Sequence, residues 1–340
     1  MSRASTVRRI AYATAYGGGG LVAAGAALFA VLRGETRMAR RRVLGHENLP
    51  APPDGSGIWG SGTGAVCTLA MLGDSSAEGR GVQDVGDTPG VLLAAGLAEL
   101  TGNPVRLVQL AISGSESSDL AMQVERVLPT RPDLTVIMIG ANDVTARIPA
   151  RQAAAHLRRA VLTLRQAGGE VVVGTCPDLG TLRPVPQPLR LFGRRWSRQL
   201  AAAQSIAVVE AGGRSVSLGS LLGPEFARRP EMFSVDEFHP SAAGYAAVAS
   251  VMLPSIAAAL DVPAAPRRER RPEPRRLAQP VATAALSAAD RPGTELSPAP
   301  SGRAGLRDVS MAQSIRRRPA RLSAPDDAAD NSGTGHGERA

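Results

Sequence analysis

A serine, an aspartate and a histidine stand where the chain can bring them together for nucleophilic chemistry. Ser75 lies in Gly73-Asp74-Ser75-Ser76-Ala77-Glu78-Gly79, directly after a short apolar run. Asp236 and His239 lie in Asp236-Glu237-Phe238-His239, directly before the last apolar helical stretch. A serine hydroxyl is a weak nucleophile and needs an adjacent base. Of the 4 histidines only His239 falls at such a position, because His46 sits in a connecting segment, His156 in a helical stretch and His336 near the C-terminus. A carboxylate that fixes the histidine tautomer and stabilises the imidazolium completes the set, and Asp236 can reach it within one tight turn. Negative charge developing on a substrate oxygen needs preorganised donors. The backbone N–H groups of Ser75 and Gly114 and the side-chain amide of Asn142, in Gly140-Ala141-Asn142-Asp143, can supply them. Together these groups are what acyl transfer through a covalent intermediate requires.

Residues so far apart in sequence must be gathered by the fold. Short, largely apolar runs at 65–72, 105–110, 134–139 and 171–174, with a weaker one at 215–218, read as strands buried on both faces. Between them lie Ala/Leu-rich stretches with helical spacing at 89–100, 119–128, 150–166, 197–210 and 241–260. This alternation predicts an α/β fold, a parallel sheet with helices on both faces in a three-layer α/β/α sandwich. In such folds chemistry gathers at the carboxyl ends of the strands. Ser75, Gly114 and Asn142 each follow a strand.

The four blocks, GDSSAEG at 73–79, Gly114 in SGSES, GAND at 140–143 and DEFH at 236–239, resemble in order and spacing those of the SGNH (GDSL-type) hydrolase superfamily, over residues 65–260. The resemblance implies a flavodoxin-like sheet of about five parallel strands and a serine esterase. It implies Ser75 as nucleophile, Asp236 and His239 as its triad partners, and Ser75, Gly114 and Asn142 as the oxyanion hole. It implies no cofactor and no metal. Ser76 replaces the leucine of the name-giving motif, and the asparagine often found a few residues before the block-two glycine is missing. The expected substrate is a carboxylic ester, with a lipid or cell-envelope ester favoured by location. Two other readings stay open: a non-catalytic, membrane-tethered binding module, and acyl transfer to an alcohol by the same triad.

Around the central domain the sequence changes character. Residues 1–9 are basic, and 10–32 carry no charge and are long enough to span a bilayer. An uncleaved, single-pass membrane anchor is the leading reading, with a cleaved signal peptide or a buried helix as competitors. Arginines at 33, 37 and 40–42 would hold the domain in the cytoplasm, whereas the resemblance and the anchor favour the extracytoplasmic side. Residues 33–64 read as an Arg-rich, then Pro/Gly-rich linker, 65–262 as the hydrolase domain, and 263–340 as a disordered Arg/Pro/Ala-rich tail.

All 39 basic residues are arginine, which excludes a catalytic lysine, and the net charge is +9. The arginines cluster at the two ends, and with only 3% aromatic residues no nucleic-acid partner is expected. Two cysteines, Cys67 and Cys176, exclude a disulfide framework and read as inert buried thiols. Asp74 and Asp143 read as bonding loop backbone, and Ser76 as the cap of the helix after the first strand. The Pro-rich loop 181–190 either shapes the substrate site or is a stiff connector, and Arg194, Arg195 and Trp196 read as a solvated helix start.

Overall fold

The computed structural model describes Gly34, residues 50–262, and the backbone of 279–280, 294–298 and 312–317. The expected basic N-terminus 1–9 and anchor 10–32 lie outside the described residues, as does most of the tail at 263–340. Five parallel strands form the centre: β2 (Cys67–Gly73), β3 (Val105–Gln109), β4 (Leu134–Met138), β5 (Glu170–Gly174) and β6 (Arg214–Val216). They lie in the order β3-β2-β4-β5-β6, the doubly wound, flavodoxin-like arrangement. Register is set across β2, where Leu69 is opposite Leu107 on one side and Leu134 on the other.

Alternation along the strands divides two cores. Leu69 and Met71 face the cluster built with Leu93 and Leu97 of α2 (Pro89–Thr101), Leu222 and Phe226 of α7 (Leu218–Arg228), and Met252 and Ile256 of α8 (Ala242–Ala259). Ala70 and Leu72 face Leu120 and Val124 of α3 (Leu120–Val127), Leu157 and Leu164 of α5 (Ala150–Gln166), and Val208 of α6 (Leu189–Glu210). The sheet is thus covered on both faces, which is why its central strands β2, β4 and β5 read as largely apolar runs. The buried positions of α5, at 153, 154, 157, 160, 161 and 164, form one helical stripe. Two four- and five-residue helices, α1 (Ser75–Glu78) and α4 (Ala141–Thr145), follow β2 and β4.

The region expected to be only a linker carries structure. Gly57–Trp59 forms β1, antiparallel to β3 at the edge of the sheet. The Trp59 indole N–H donates to the carbonyl of Gly55 at 2.8 Å. A three-residue edge strand among glycines carries too little alternation to be read from sequence. Past β6, β7 (Gln279–Pro280), β8 (Thr294–Pro298) and β9 (Ala312–Arg317) continue the sheet in the order β8-β9-β7, with β8 antiparallel to β6.

Helix α8 is, among the described residues, long and apolar enough to cross a membrane, with a mean hydropathy of 1.6. Here its Tyr245, Val248, Met252 and Ile256 are buried in the core. Ser241 caps it, accepting a hydrogen bond from the Gly244 N–H.

Candidate active site

The chain runs from β2 to β3 on one side and then crosses to β4 on the other. The crevice beyond the carboxyl ends of β2 and β4 is therefore the topological switch point, where α/β sheets bind ligands. Gly73 closes β2 against β4 so tightly that a Cβ there would sit 1.9 Å from the Met138 carbonyl oxygen. The chain then turns at Asp74, whose carboxylate accepts the Ser76 N–H at 2.9 Å and the Ser76 hydroxyl at 2.5 Å. Asp74, not Ser76, is thus the cap of α1. Ser75 is left free of capping as the first residue of that helix.

The Ser75 Oγ lies 2.9 Å from His239 Nε2, and His239 Nδ1 lies 2.5 Å from Asp236 Oδ2. The other carboxylate oxygen, Oδ1, accepts the backbone N–H groups of Phe238 at 3.0 Å and His239 at 2.9 Å. Burial acts most strongly on Asp236 and pushes its pKa up. The hydrogen bonds from the imidazole and the two amides together outweigh it and hold the carboxyl below its ordinary value. An ionised Asp236 selects the Nδ1–H tautomer and leaves Nε2 to accept the serine proton. The loop carrying the pair is tied to the segment after α1: the Ser234 hydroxyl donates to the Gly81 carbonyl at 2.9 Å, and the buried Tyr245 hydroxyl to that of Arg80 at 2.6 Å.

Opposite these residues lies the block-two loop. Gly114 has φ +85°, and beyond its chain neighbours no atom of the described residues lies within 4 Å of where its Cβ would be, so the loop is open on that side. The Asn142 Nδ2 donates to the Ser115 carbonyl at 2.9 Å, which orients the amide and leaves its second N–H for a substrate oxygen. Asp143 accepts the N–H and hydroxyl of Ser117, the hydroxyl at 2.8 Å. The carboxyl of Asp74 is raised above its ordinary value by burial, and so is that of Asp143. Both bond loop groups, as their sequence context leads one to expect.

The structure adds residues the sequence does not single out. Gln123, fully buried on α3, accepts the Gly73 N–H at 2.8 Å and donates to the Gly73 carbonyl at 2.9 Å and the Ser115 hydroxyl at 3.1 Å. Its signal was a glutamine on the otherwise apolar stripe Leu120, Val124, Val127. Glu78 accepts the Ser113 N–H at 3.1 Å and the Ser113 hydroxyl.

From Ser75 and His239 a cavity of about 90 Å³ runs inward, walled by Met138, Leu182, Leu222, Phe226 and Val248. The hydroxyl of Thr175, fully buried at this cavity, has no hydrogen-bond partner among the described residues. The Pro-rich loop contributes Thr181 and Leu182 to the wall, so it shapes the site. Arg194 lies within α6, 3.4 Å from Asp178, and Trp196 packs on Phe192 with ring centroids 6.1 Å apart. Cys176 is buried, whereas Cys67 is half-buried, its thiol pushed up to about 11 by burial and then by Asp133.

Residues 71–247 match the model of the GDSL-like Lipase/Acylhydrolase family. A GDSL-like esterase of Mycobacterium tuberculosis (strain ATCC 25618 / H37Rv) is 42% identical over 276 residues, covering 76% of this chain and 85% of the relative. Among solved structures, TesA is similar at 23% identity and a TM-score of 0.45, covering 56% of this chain and 97% of its own. The psychrotrophic esterase EstA from Pseudoalteromonas sp. is similar at 18% identity and a TM-score of 0.47, covering 57% and 98%.

Proposed function

The chain belongs to the GDSL-like lipase/acylhydrolase family, and from that premise we propose that it cleaves carboxylic esters with Ser75 as nucleophile, His239 as general base and acid, and Asp236 as its partner. The chain is a GDSL-type carboxylic ester hydrolase. The observation that carries the residue roles is the unbroken hydrogen-bonded path from Ser75 Oγ through His239 to Asp236, at the mouth of an apolar cavity.

On this reading Ser75 Oγ attacks the ester carbonyl carbon while its proton passes to His239 Nε2. The carbonyl electron pair moves onto oxygen, held by the N–H groups of Ser75 and Gly114 and the amide of Asn142. Collapse of the tetrahedral intermediate breaks the bond to the alkoxide, which takes the proton from His239. Water, deprotonated by the same imidazole, attacks the acyl-enzyme; the second tetrahedral intermediate collapses with cleavage of the bond to Ser75 Oγ, which takes the proton back from His239, and the acid leaves. Asn142→Ala is expected to lower kcat by roughly 10²- to 10³-fold through loss of one oxyanion donor, with KM little changed. An unchanged kcat would show that Asn142 only holds Ser115.

The cavity is the expected seat of the acyl group. A water-sized group needs about 10–15 Å³ of such space, so about 90 Å³ admits a chain of several carbons. Hydrolysis of p-nitrophenyl esters from acetate to palmitate by the full-length protein tests this directly. Gly223 lines the cavity from α7, and among the described residues a Cβ added there would meet Asp178, its Cβ at 3.5 Å and its Oδ2 at 3.8 Å, both ordinary contacts. Gly223→Leu is therefore expected to lower the ratio of kcat/KM for octanoate over acetate by about 10-fold or more, the worth of one or two methylenes in an apolar pocket. An unchanged ratio would put the acyl chain elsewhere.

We place the enzyme at the cell membrane, tethered by residues 10–32 with its domain on the extracytoplasmic side, acting on lipid or cell-envelope esters. The support is the uncharged run at 10–32, together with the apolar cavity at Ser75. Fractionation of the expressed full-length chain, followed by protease accessibility of the domain in intact cells, checks both the tether and the side.

A further inference from the structure

We propose that Glu78 is a positioning residue: it sets the place of the Gly114 amide relative to Ser75. The proposal rests on the catalytic reading above, in which that amide holds the oxyanion. Ser75 and Glu78 are the first and last residues of α1, a helix only four residues long. The carboxylate of Glu78 accepts both the backbone N–H of Ser113, at 3.1 Å, and the Ser113 hydroxyl. Ser113 immediately precedes Gly114. One short helix therefore carries the nucleophile at one end and grips the oxyanion loop at the other.

Gly114 sits inside a turn that the Ser115 N–H closes onto the Ile112 carbonyl at 3.2 Å, so its place follows that of the turn's other central residue, Ser113. Beyond its chain neighbours, no atom of the described residues lies within 4 Å of its would-be Cβ, and its φ is +85°. On the far flank, Asn142 holds the Ser115 carbonyl and Asp143 holds Ser117. On the near flank, the Ile112 N–H reaches the Gly73 carbonyl at 3.1 Å, and the next tether is Glu78. A second link, from the Gln109 side-chain amide to the Ala77 carbonyl at 2.9 Å, joins the same helix to the end of β3. Oxyanion donors act only when preorganised, and a misplacement of 1 Å can cost about 10²-fold. A negative charge near a developing oxyanion is itself unfavourable, so what Glu78 contributes is its acceptor geometry. A neutral acceptor of the same shape should therefore serve.

The test compares Glu78→Ala, Glu78→Gln and Ser113→Ala with wild type, all as full-length protein. It reads kcat and KM on one p-nitrophenyl ester, the affinity of a trifluoromethyl ketone that forms an oxyanion on the serine, and the thermal midpoint. In Glu78→Ala, kcat and ketone affinity are expected to fall together by roughly 10- to 100-fold, with KM within about twofold. Glu78→Gln keeps an acceptor oxygen and should recover most of the loss. Ser113→Ala retains the backbone bond and should fall between them; it carries the test should Glu78→Ala fail to fold. Unchanged kcat and ketone affinity in the alanine variants would overturn the proposal. So would a loss that tracks the thermal midpoint and is not rescued by glutamine. Ser75→Ala, assayed alongside, separates the two levels. If it stays active, the catalytic reading fails; if it is inactive while Glu78→Ala matches wild type, only the positioning role fails.

Discussion

Ser75→Ala is expected to remove ester hydrolysis almost entirely, lowering kcat by about 10⁶-fold as in other serine hydrolases stripped of their nucleophile. The fold should not notice. The side chain capped by none of the local backbone has little to do there: Asp74 caps α1 through Ser76, and the Ser75 hydroxyl bonds His239. Alanine is also the better helix former at the first position of α1. The variant should therefore keep the wild-type thermal midpoint within a degree or two, and it should lose labelling by a fluorophosphonate probe completely. The combination matters, because a dead but unfolded protein says nothing about chemistry. Hydrolysis retained in a folded, unlabelled variant would falsify the assignment of Ser75 and send the search to another nucleophile.

Some of this arrangement can be read from the amino-acid sequence and some cannot, for physical reasons. The central strands are legible because burial on both faces demands mostly apolar residues, as in Leu134–Met138, where every residue is buried and only Thr135 is polar. Strand β1 is illegible because only Trp59 of its three residues is even half-buried. Helix α7 is hidden by Gly219, Gly223 and Pro224, poor helix formers. The first eight residues of α6 are hidden by Gly193 and the prolines before it. Tertiary packing overrides propensity there, and Gly223 also lines the cavity. Ser75, Asn142, Asp236 and His239 are legible because polar residues at strand ends and helix entries stand out against apolar neighbours. Glu78 bonds Ser113, 35 residues away in sequence, and Gln123 bonds Gly73, 50 residues away. No local pattern announces such pairings. The same holds for the cap of α1, where Asp74 and Ser76 are both good formers of local turns and only the backbone decides between them.

Asp236→Asn is expected to cost about 10⁴-fold in kcat, and the hydrogen bonds around this carboxylate say why. Oδ1 accepts two backbone N–H groups, from Phe238 and His239, so in the variant this position selects the amide oxygen. The amide nitrogen is then forced into the place of Oδ2, facing His239 Nδ1 at the 2.5 Å contact of the wild type. Two donors cannot share that contact, so Nδ1 must become an acceptor and the ring proton must move to Nε2. An imidazole protonated at Nε2 cannot take the proton of Ser75, which is the wrong-tautomer defect known to cost about this much in a triad. KM should change little, because Asp236 is buried and meets no substrate. Asp236→Ala differs in a telling way. It leaves the tautomer free but strips the acceptor from both backbone N–H groups, so it should lose more stability than the asparagine variant, which keeps them. Acid sensitivity separates the two functions further. The folded carboxyl is held below its ordinary value. Its contribution to stability is therefore complete above the unfolded value, near 3.9, and is lost as the pH falls through the lower folded value. Asp236→Asn removes that acid-linked loss while leaving the loop capped, so its stability should vary less with pH below about 4. The ring proton can be located by nitrogen NMR of the labelled histidines. A proton still on Nδ1 in the asparagine variant, or a kcat within tenfold of wild type, would show that the backbone amides do not dictate the orientation of this side chain.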